Sequence, residues 1–238
     1  MNYKRRVHIR LCSYLFAVLL SAYTLDAYSQ DPALPPCDTL RGEAAMVRTV
    51  QSEVSLHGVS RAVSNALVPA VISVPVGLFA AGHAMDNEYH AVSGVVLLSA
   101  QVVTIGANYA LKELIGRPRP WRAHPDCIYP GSVDDEFSFP SGHSSSAATL
   151  ATYLSLRYPQ WYVVAPAVLF TGYTWYARMN LGVHYPTDII AGAVLGAAVG
   201  YGAFRLTESL KAALEPVLPL PQGKPPVTAP ILVFRIPL

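Results

Sequence analysis

The chain is 238 residues long, 52% hydrophobic and 13% charged, with a formal net charge of +2; a soluble domain carries roughly 25% charge. That composition excludes a disordered chain, and the length fits one domain, or one bundle with a tail. The basic residues form no long run, which excludes a nucleic-acid partner. Three scattered cysteines with no CxxC or Cys/His cluster offer neither a zinc site nor a disulfide scaffold.

Lys4, Arg5, Arg6 and Arg10 precede an apolar stretch from Leu11 to Tyr23, and Ala27-Tyr28-Ser29 supplies small residues before a cleavage point. Residues 1–29 therefore read as a signal peptide, with a retained first helix as the alternative; about thirteen apolar residues are short for a bilayer. Its removal leaves 13 basic and 14 acidic residues, so the basicity belongs to the targeting segment. Within residues 30–60, Leu40, Val47, Val50 and Val54 follow a helical period with charged residues between them. This predicts an amphipathic helix packed on the apolar segments C-terminal to it.

Five windows then contain no Asp, Glu, Lys or Arg: Ala62–Met85, Ala91–Leu111, Phe137–Leu156, Tyr158–Ala177 and Ile189–Phe204. A bilayer needs about twenty apolar residues as a helix, so the last window, at sixteen residues, is marginal. In it Gly192, Gly196 and Gly200 recur every fourth residue and would let a neighbouring helix approach closely. The expected fold is all-α, a transmembrane bundle of about five to six helices over residues 61–212 with an active site at the helix ends on one face. Residues 213–238 contain seven prolines and cannot form one helix.

Chemistry-bearing residues collect in three blocks at window ends. Lys112 closes one helix that Gly116, Pro118 and Pro120 then break, with Arg119 between the two prolines. Pro140-Ser141-Gly142-His143 precedes the next, with Ser141 as N-cap and Gly142 allowing an anion near free N–H groups. Arg178, His184 and Asp188 form the third block; Thr187 is the expected N-cap there, and Asp188 is spaced to reach one His184 nitrogen. Each block alone is weak, since interfacial basic residues and capped helices are common. Threading puts the ends near residues 112, 141, 178 and 188 on one side, outside the cytoplasm. Cys37 and Cys127 fall on that side as well and are expected to pair.

Taken together, the blocks resemble the type 2 phosphatidic acid phosphatase superfamily, whose signature is lysine, six residues, Arg-Pro; Pro-Ser-Gly-His; and Ser-Arg, five residues, histidine, three residues, aspartate. The resemblance covers residues 112–188, with one departure: Ala177 stands where the family usually has serine. It implies that Lys112, Arg119, Ser141, Gly142 and Arg178 bind phosphate, that His184 is the nucleophile oriented by Asp188, and that His143 is the acid and base. It implies no cofactor and no metal, a phosphorylated lipid as substrate, and the membrane as partner; the oligomeric state stays open. A secreted soluble acid phosphatase and a non-enzymatic membrane component are the alternatives, and a vanadate-dependent haloperoxidase suits so short and lipophilic a chain poorly.

Overall fold

The computed structural model describes residues 37, 39–132, 135–218 and 220–223. The expected signal peptide and most of the proline-rich tail lie outside them. Among the described residues the chain is helical throughout, with an isolated antiparallel bridge between Pro118 and Phe137 and no strand.

Helix α1 spans Gly42–Gln51 and buries Ala44, Val47 and Gln51. Its apolar period stops there: Val50 is half-buried, and Val54 is exposed in the adjoining 3-10 turn Val54–Leu56. Two helices of 28 residues come next, α2 (His57–Ala84) and α3 (Glu88–Ile115). At 1.5 Å per residue each is about 42 Å long, more than the ~30 Å hydrocarbon layer requires. A short α4 (Pro120–Ala123) lies in the loop before α5 (Gly142–Arg157), α6 (Trp161–Asn180), α7 (Pro186–Arg205) and α8 (Thr207–Leu214).

Three segments among the described residues are long and apolar enough to cross a membrane: Val54–Ala84, Glu88–Ile115 and Pro186–Arg205. The other two windows form helices, but shorter or less apolar ones. The window from Phe137 spends its first residues in a loop, and α5 then has only 16 residues. It is the central helix of the bundle, lined with buried Ser144, Ser145, Ser146 and Thr149. The hydroxyls of Ser144, Ser145 and Thr149 are hydrogen-bonded inside the protein, as buried polar groups usually are. The Thr149 hydroxyl lies within hydrogen-bond distance of the carbonyls of Ser145, at 3.0 Å, and Gly196, at 3.1 Å.

The second of those bonds crosses to α7, whose buried glycines face α5. A Cβ on Gly192 would meet the Ser141 carbonyl, one on Gly196 the Ser145 carbonyl, and one on Gly200 the Thr149 carbonyl. The four-residue glycine stripe thus gives α5 and α7 backbone-to-backbone contact, and any larger residue would clash with the α5 carbonyls and push the helices apart. A hydrophobic core of Val74, Leu78, Val92, Val96, Leu97, Leu150 and Tyr153 closes the end of the bundle away from the three motif blocks. At the block end α1 packs across α6 and α7. It is anchored by a disulfide between Cys37 and Cys127, whose Cα atoms are 5.7 Å apart.

Candidate active site

The three blocks are stitched together by their backbones. Gly116 adopts a left-handed conformation, φ 62°, and ends α3 with its N–H on the Lys112 carbonyl, 2.9 Å away. Only glycine takes that conformation cheaply, and it turns Arg117-Pro118-Arg119 back toward the second block. There Ser138 N–H donates to the Arg117 carbonyl at 2.8 Å. Ser141 N–H in turn donates to the Asp188 carbonyl at 3.0 Å, joining the second block to the third. Arg119 Nη1 reaches the Val183 carbonyl at 2.9 Å and closes the ring.

This arrangement surrounds a cavity of about 320 Å³. Lys112, Arg119, Gly142, His143 and His184 line its polar end, together with Asp135. Leu67, Val68 and Val71 of α2 and Ile105 and Tyr109 of α3 wall the remainder. Val68, Ile105 and Tyr109 are exposed on the outer face of the bundle, so the apolar part of the cavity opens sideways between two of the helices long enough to span a membrane.

His184 is buried, and its Nε2 lies 3.1 Å from Arg119 Nη1. Because a guanidinium only donates, Nε2 is the acceptor and the ring proton sits on Nδ1. Nδ1 is 3.6 Å from Asp188 Oδ2, just beyond a hydrogen bond. Burial, then the positive charges of Arg178, Arg119, Lys112 and His143, hold the His184 pKa well below the ordinary imidazole value. The ring is therefore neutral at neutral pH, with its Nε2 lone pair accepting from Arg119 Nη1 beside the cavity.

Asp188 belongs to the start of α7, where the structure corrects the expected cap. The N-cap is Tyr185, not Thr187. Pro186 takes the first helical position, where its missing N–H costs nothing, and Asp188 Oδ2 accepts from the Tyr185 N–H at 2.8 Å. Asp188 is thus both capping residue and neighbour of His184.

Ser141 and Arg178 stand behind the cavity wall. The Ser141 hydroxyl is the N-cap of α5, 3.3 Å from the Ser144 N–H and 3.0 Å from the Ser144 hydroxyl. Arg178 Nη1 donates to Ser64 at 2.6 Å, and its charge reaches His184 through the protein. Ala177, the departure from the family signature, is fully buried in α6.

Four residues with a place here escaped the sequence reading. Asn108 sits one helical turn before Lys112, and its amide nitrogen lies 3.4 Å from the Pro140 carbonyl and 3.2 Å from the Ser145 hydroxyl. The i, i+4 spacing from Lys112 was a usable signal. Arg117 was visible as a second arginine beside the motif. Asp135 and Glu43 carried no signal, as neither loop position nor surface helix position has a period that points inward. The Asp135 carboxylate is 3.1 Å from Lys112 Nζ and also pairs with Arg119, while its carbonyl takes Arg119 Nε at 2.6 Å. Among the described residues no cluster of three or more His, Cys, Asp or Glu side chains is arranged to hold a metal ion.

Residues 91–211, which include all three blocks, match the model of the PAP2 superfamily. The chain belongs to that family. It is 32% identical over 119 residues to the lipid A 4'-phosphatase of Bacteroides thetaiotaomicron, a match covering 48% of this chain and 53% of the relative. It is 27% identical over 143 residues to the undecaprenyl-diphosphatase BcrC of Bacillus subtilis, covering 60% and 69%. The chain thus spans about half the length of the first relative and rather more of the second. A transmembrane PAP2-type phosphatidylglycerolphosphate phosphatase from Bacillus subtilis shares the fold, with a TM-score of 0.54, 22% identity, and coverage of 87% of this chain and 96% of that one.

Proposed function

We propose that this chain is a membrane-embedded phosphatase that removes a terminal phosphate from a lipid. The observation that carries this reading is the form of the cavity: cations and a neutral histidine at one end, an apolar slot open between α2 and α3 at the other. A lipid phosphate has that same division, and its tail can stay in the bilayer while its headgroup meets the site.

In the proposed reaction, Lys112 and Arg119 bind phosphate oxygens, with the backbone at Gly142 contributing from the N-terminal end of α5. Arg178, set back from the cavity, adds its charge to the field. These preorganised charges stabilise the transferring phosphoryl group. Binding draws the Arg119 donor from His184 Nε2 onto the phosphate, which frees the lone pair. Nε2 attacks phosphorus, the bond to the leaving oxygen breaks, and His143 gives that oxygen its proton. Asp188 stabilises the positive charge that develops on the imidazole. His143 then takes a proton from water as the water oxygen attacks the phosphohistidine, releasing phosphate and restoring His184.

Two observations support a site outside the cytoplasm. The disulfide lies on the site's side of the bundle, and disulfides persist in oxidising compartments. The residues 1–29 read as an export signal. The reading is tested by phosphate release from detergent-purified protein given phosphatidic acid, phosphatidylglycerol phosphate, undecaprenyl diphosphate and lipid A, with His184→Ala as blank. Release from at least one lipid is expected. Equal turnover of a water-soluble phosphomonoester by protein extracted without detergent favours the soluble phosphatase instead, and no release from any substrate overturns the reading.

A further inference from the structure

Asp188 has two carboxylate oxygens, and both are engaged. Oδ2 accepts from the Tyr185 N–H and faces His184; Oδ1 accepts from Arg117 Nη1 at 2.7 Å. Arg117 occupies one of the six positions between Lys112 and Arg119 that the family signature leaves open. The same nitrogen lies 2.7 Å from the Thr187 hydroxyl, Nη2 lies 2.7 Å from Glu43 Oε2, and the guanidinium covers the Tyr185 ring at 4.0 Å. Glu43 Oε1 accepts from the Thr187 N–H at 2.9 Å. Glu43 and Arg117 thus clamp the first turn of α7 from outside.

The clamp has an electrostatic order. Asp188 is fully buried, while the Arg117 and Glu43 side chains are 28% and 30% exposed. Charges alternate outward from the histidine: negative on Asp188, positive on Arg117, negative on Glu43. Burial alone would raise the Glu43 carboxyl, but hydrogen bonds from Arg117 and Thr187 outweigh it and hold its pKa below the ordinary value. Glu43 is therefore anionic at neutral pH, opposite the Arg117 guanidinium. A forked guanidinium holding a carboxylate also restricts its rotation, as a single point charge does not.

We propose that Arg117 and Glu43 are positioning residues for the His184–Asp188 pair, which makes helix α1 a working part of the catalytic centre. Glu43 lies outside the residues 91–211 that match the family. Arg117 fixes the orientation of Asp188 and offsets part of its charge. His184 then stays neutral at rest although a carboxylate is beside it, and the carboxylate is in place when the ring becomes cationic. Glu43 orients Arg117 and moderates its charge. The other groups facing the pair are Arg119 and Lys112 from the first block, with Asp135 between them, His143 from α5, Arg178 from α6, and Tyr185 at the start of α7. The proposal rests on the phosphatase reading for the role of His184.

The test reads His184 directly, by NMR of protein labelled at histidine nitrogen in detergent micelles, alongside steady-state kinetics. Arg117→Gln removes a cation near the pair and should raise the His184 titration midpoint by about half a pH unit or more. Glu43→Gln strengthens the cation's influence and should lower the midpoint by a smaller amount. A structural clamp without electrostatic coupling does not produce opposite shifts. Arg117→Lys should leave the midpoint near the wild-type value while lowering kcat, since it keeps the charge and loses the fork. In all three variants KM for the lipid should stay within about twofold, because neither residue lines the cavity. Shifts in one direction, no shift, or losses expressed in KM overturn the proposal. If Arg117→Gln does not fold, Glu43→Gln decides alone: a lowered midpoint supports positioning, and an unchanged one overturns it. Opposite shifts in a protein that releases phosphate from no lipid break the phosphatase reading and leave the positioning geometry standing.

Discussion

Two halves of the same site solve the problem of buried charge in different ways. On the cradle side, Lys112 and Arg119 are buried cations whose counter-ion is Asp135, a carboxylate 56% exposed on a loop. On the side of the proposed nucleophile the buried charge is Asp188, and its partners are the Tyr185 N–H and a guanidinium that is itself held by Glu43. Leaving a buried charge uncompensated costs several kcal/mol, so each half must have a partner in the empty state. The cradle's partner can leave for water at little cost, whereas the nucleophile's partner is built into a ring of bonds. A half that must accept an incoming anion needs an exchangeable counter-ion, and a half that must hold one geometry through both chemical steps needs a permanent one.

The largest expected effects fall on the nucleophile. His184→Ala should abolish turnover and the acid-labile phosphoenzyme together, because His184 is the group proposed to form the bond to phosphorus. His143→Ala should slow the reaction by about 10²–10⁴-fold, the usual worth of general acid–base catalysis. Much of that loss in the first half-reaction should return with a substrate whose leaving group needs no proton, and phosphoenzyme should then accumulate. Asp188→Asn should fall between the two, since the nucleophile remains but its orientation and charge compensation go. Rapid quench with labelled substrate and phosphohistidine analysis separates these outcomes. A phosphoenzyme in His184→Ala, or no leaving-group dependence in His143→Ala, breaks the division of roles.

Much of this site was legible because its signals are local in sequence. Helix ends are marked by Gly116 and Ser141, and the blocks sit at helix ends. The glycine stripe of α7 announced a close helix pair, and α5 is its partner. The two counter-ion systems were not legible to the same degree. Asp135 and Glu43 reach the site through loop path and tertiary packing, and nothing in residue spacing records where a loop carboxylate folds back. The cap of α7 was misread for a related reason: Thr187 has the better capping side chain, but Pro186 fixes the helix start two residues earlier, and Asp188 supplies the oxygen from inside. The start of α5 was legible, since Ser141 was read as its N-cap and the first residues of that uncharged window fall in the loop before it.

A smaller effect tests the exchangeable half. Asp135→Asn removes the anion that phosphate must displace, so inorganic phosphate should bind about fivefold more tightly, equivalent to about 1 kcal/mol, the upper range for a solvent-exposed ion pair. The ligand-free protein should melt lower than wild type, since two buried cations lose the one carboxylate they share and keep only carbonyl acceptors nearby, and saturating phosphate should raise its melting temperature by more. Phosphate inhibition of turnover should tighten in step. Unchanged phosphate affinity would make Asp135 a permanent ligand of Lys112 and Arg119, and the contrast between the halves would fail.

The smallest change in activity is expected from the disulfide, and it sharpens the contrast because α1 touches one half only. Replacing Cys37 and Cys127 with Ala frees the start of the segment that carries Glu43, without altering any residue of the cavity. Stability should fall by about 2–4 kcal/mol, the usual contribution of a bridge closing a long loop. Below the melting transition, α1 remains docked through Val47 and through Gln51, whose side-chain nitrogen donates to the Tyr129 carbonyl at 2.6 Å. Turnover should therefore fall by only about twofold, with the loss in kcat and none in phosphate affinity. Adding Glu43→Gln to the double Cys variant should cost less than it does in the wild type, since a loosened α1 already holds Arg117 poorly, and mutations sharing one network do not add. Full additivity, or a loss that appears in phosphate binding, would mean that α1 acts on the cradle as well and that the two halves are not separately supported.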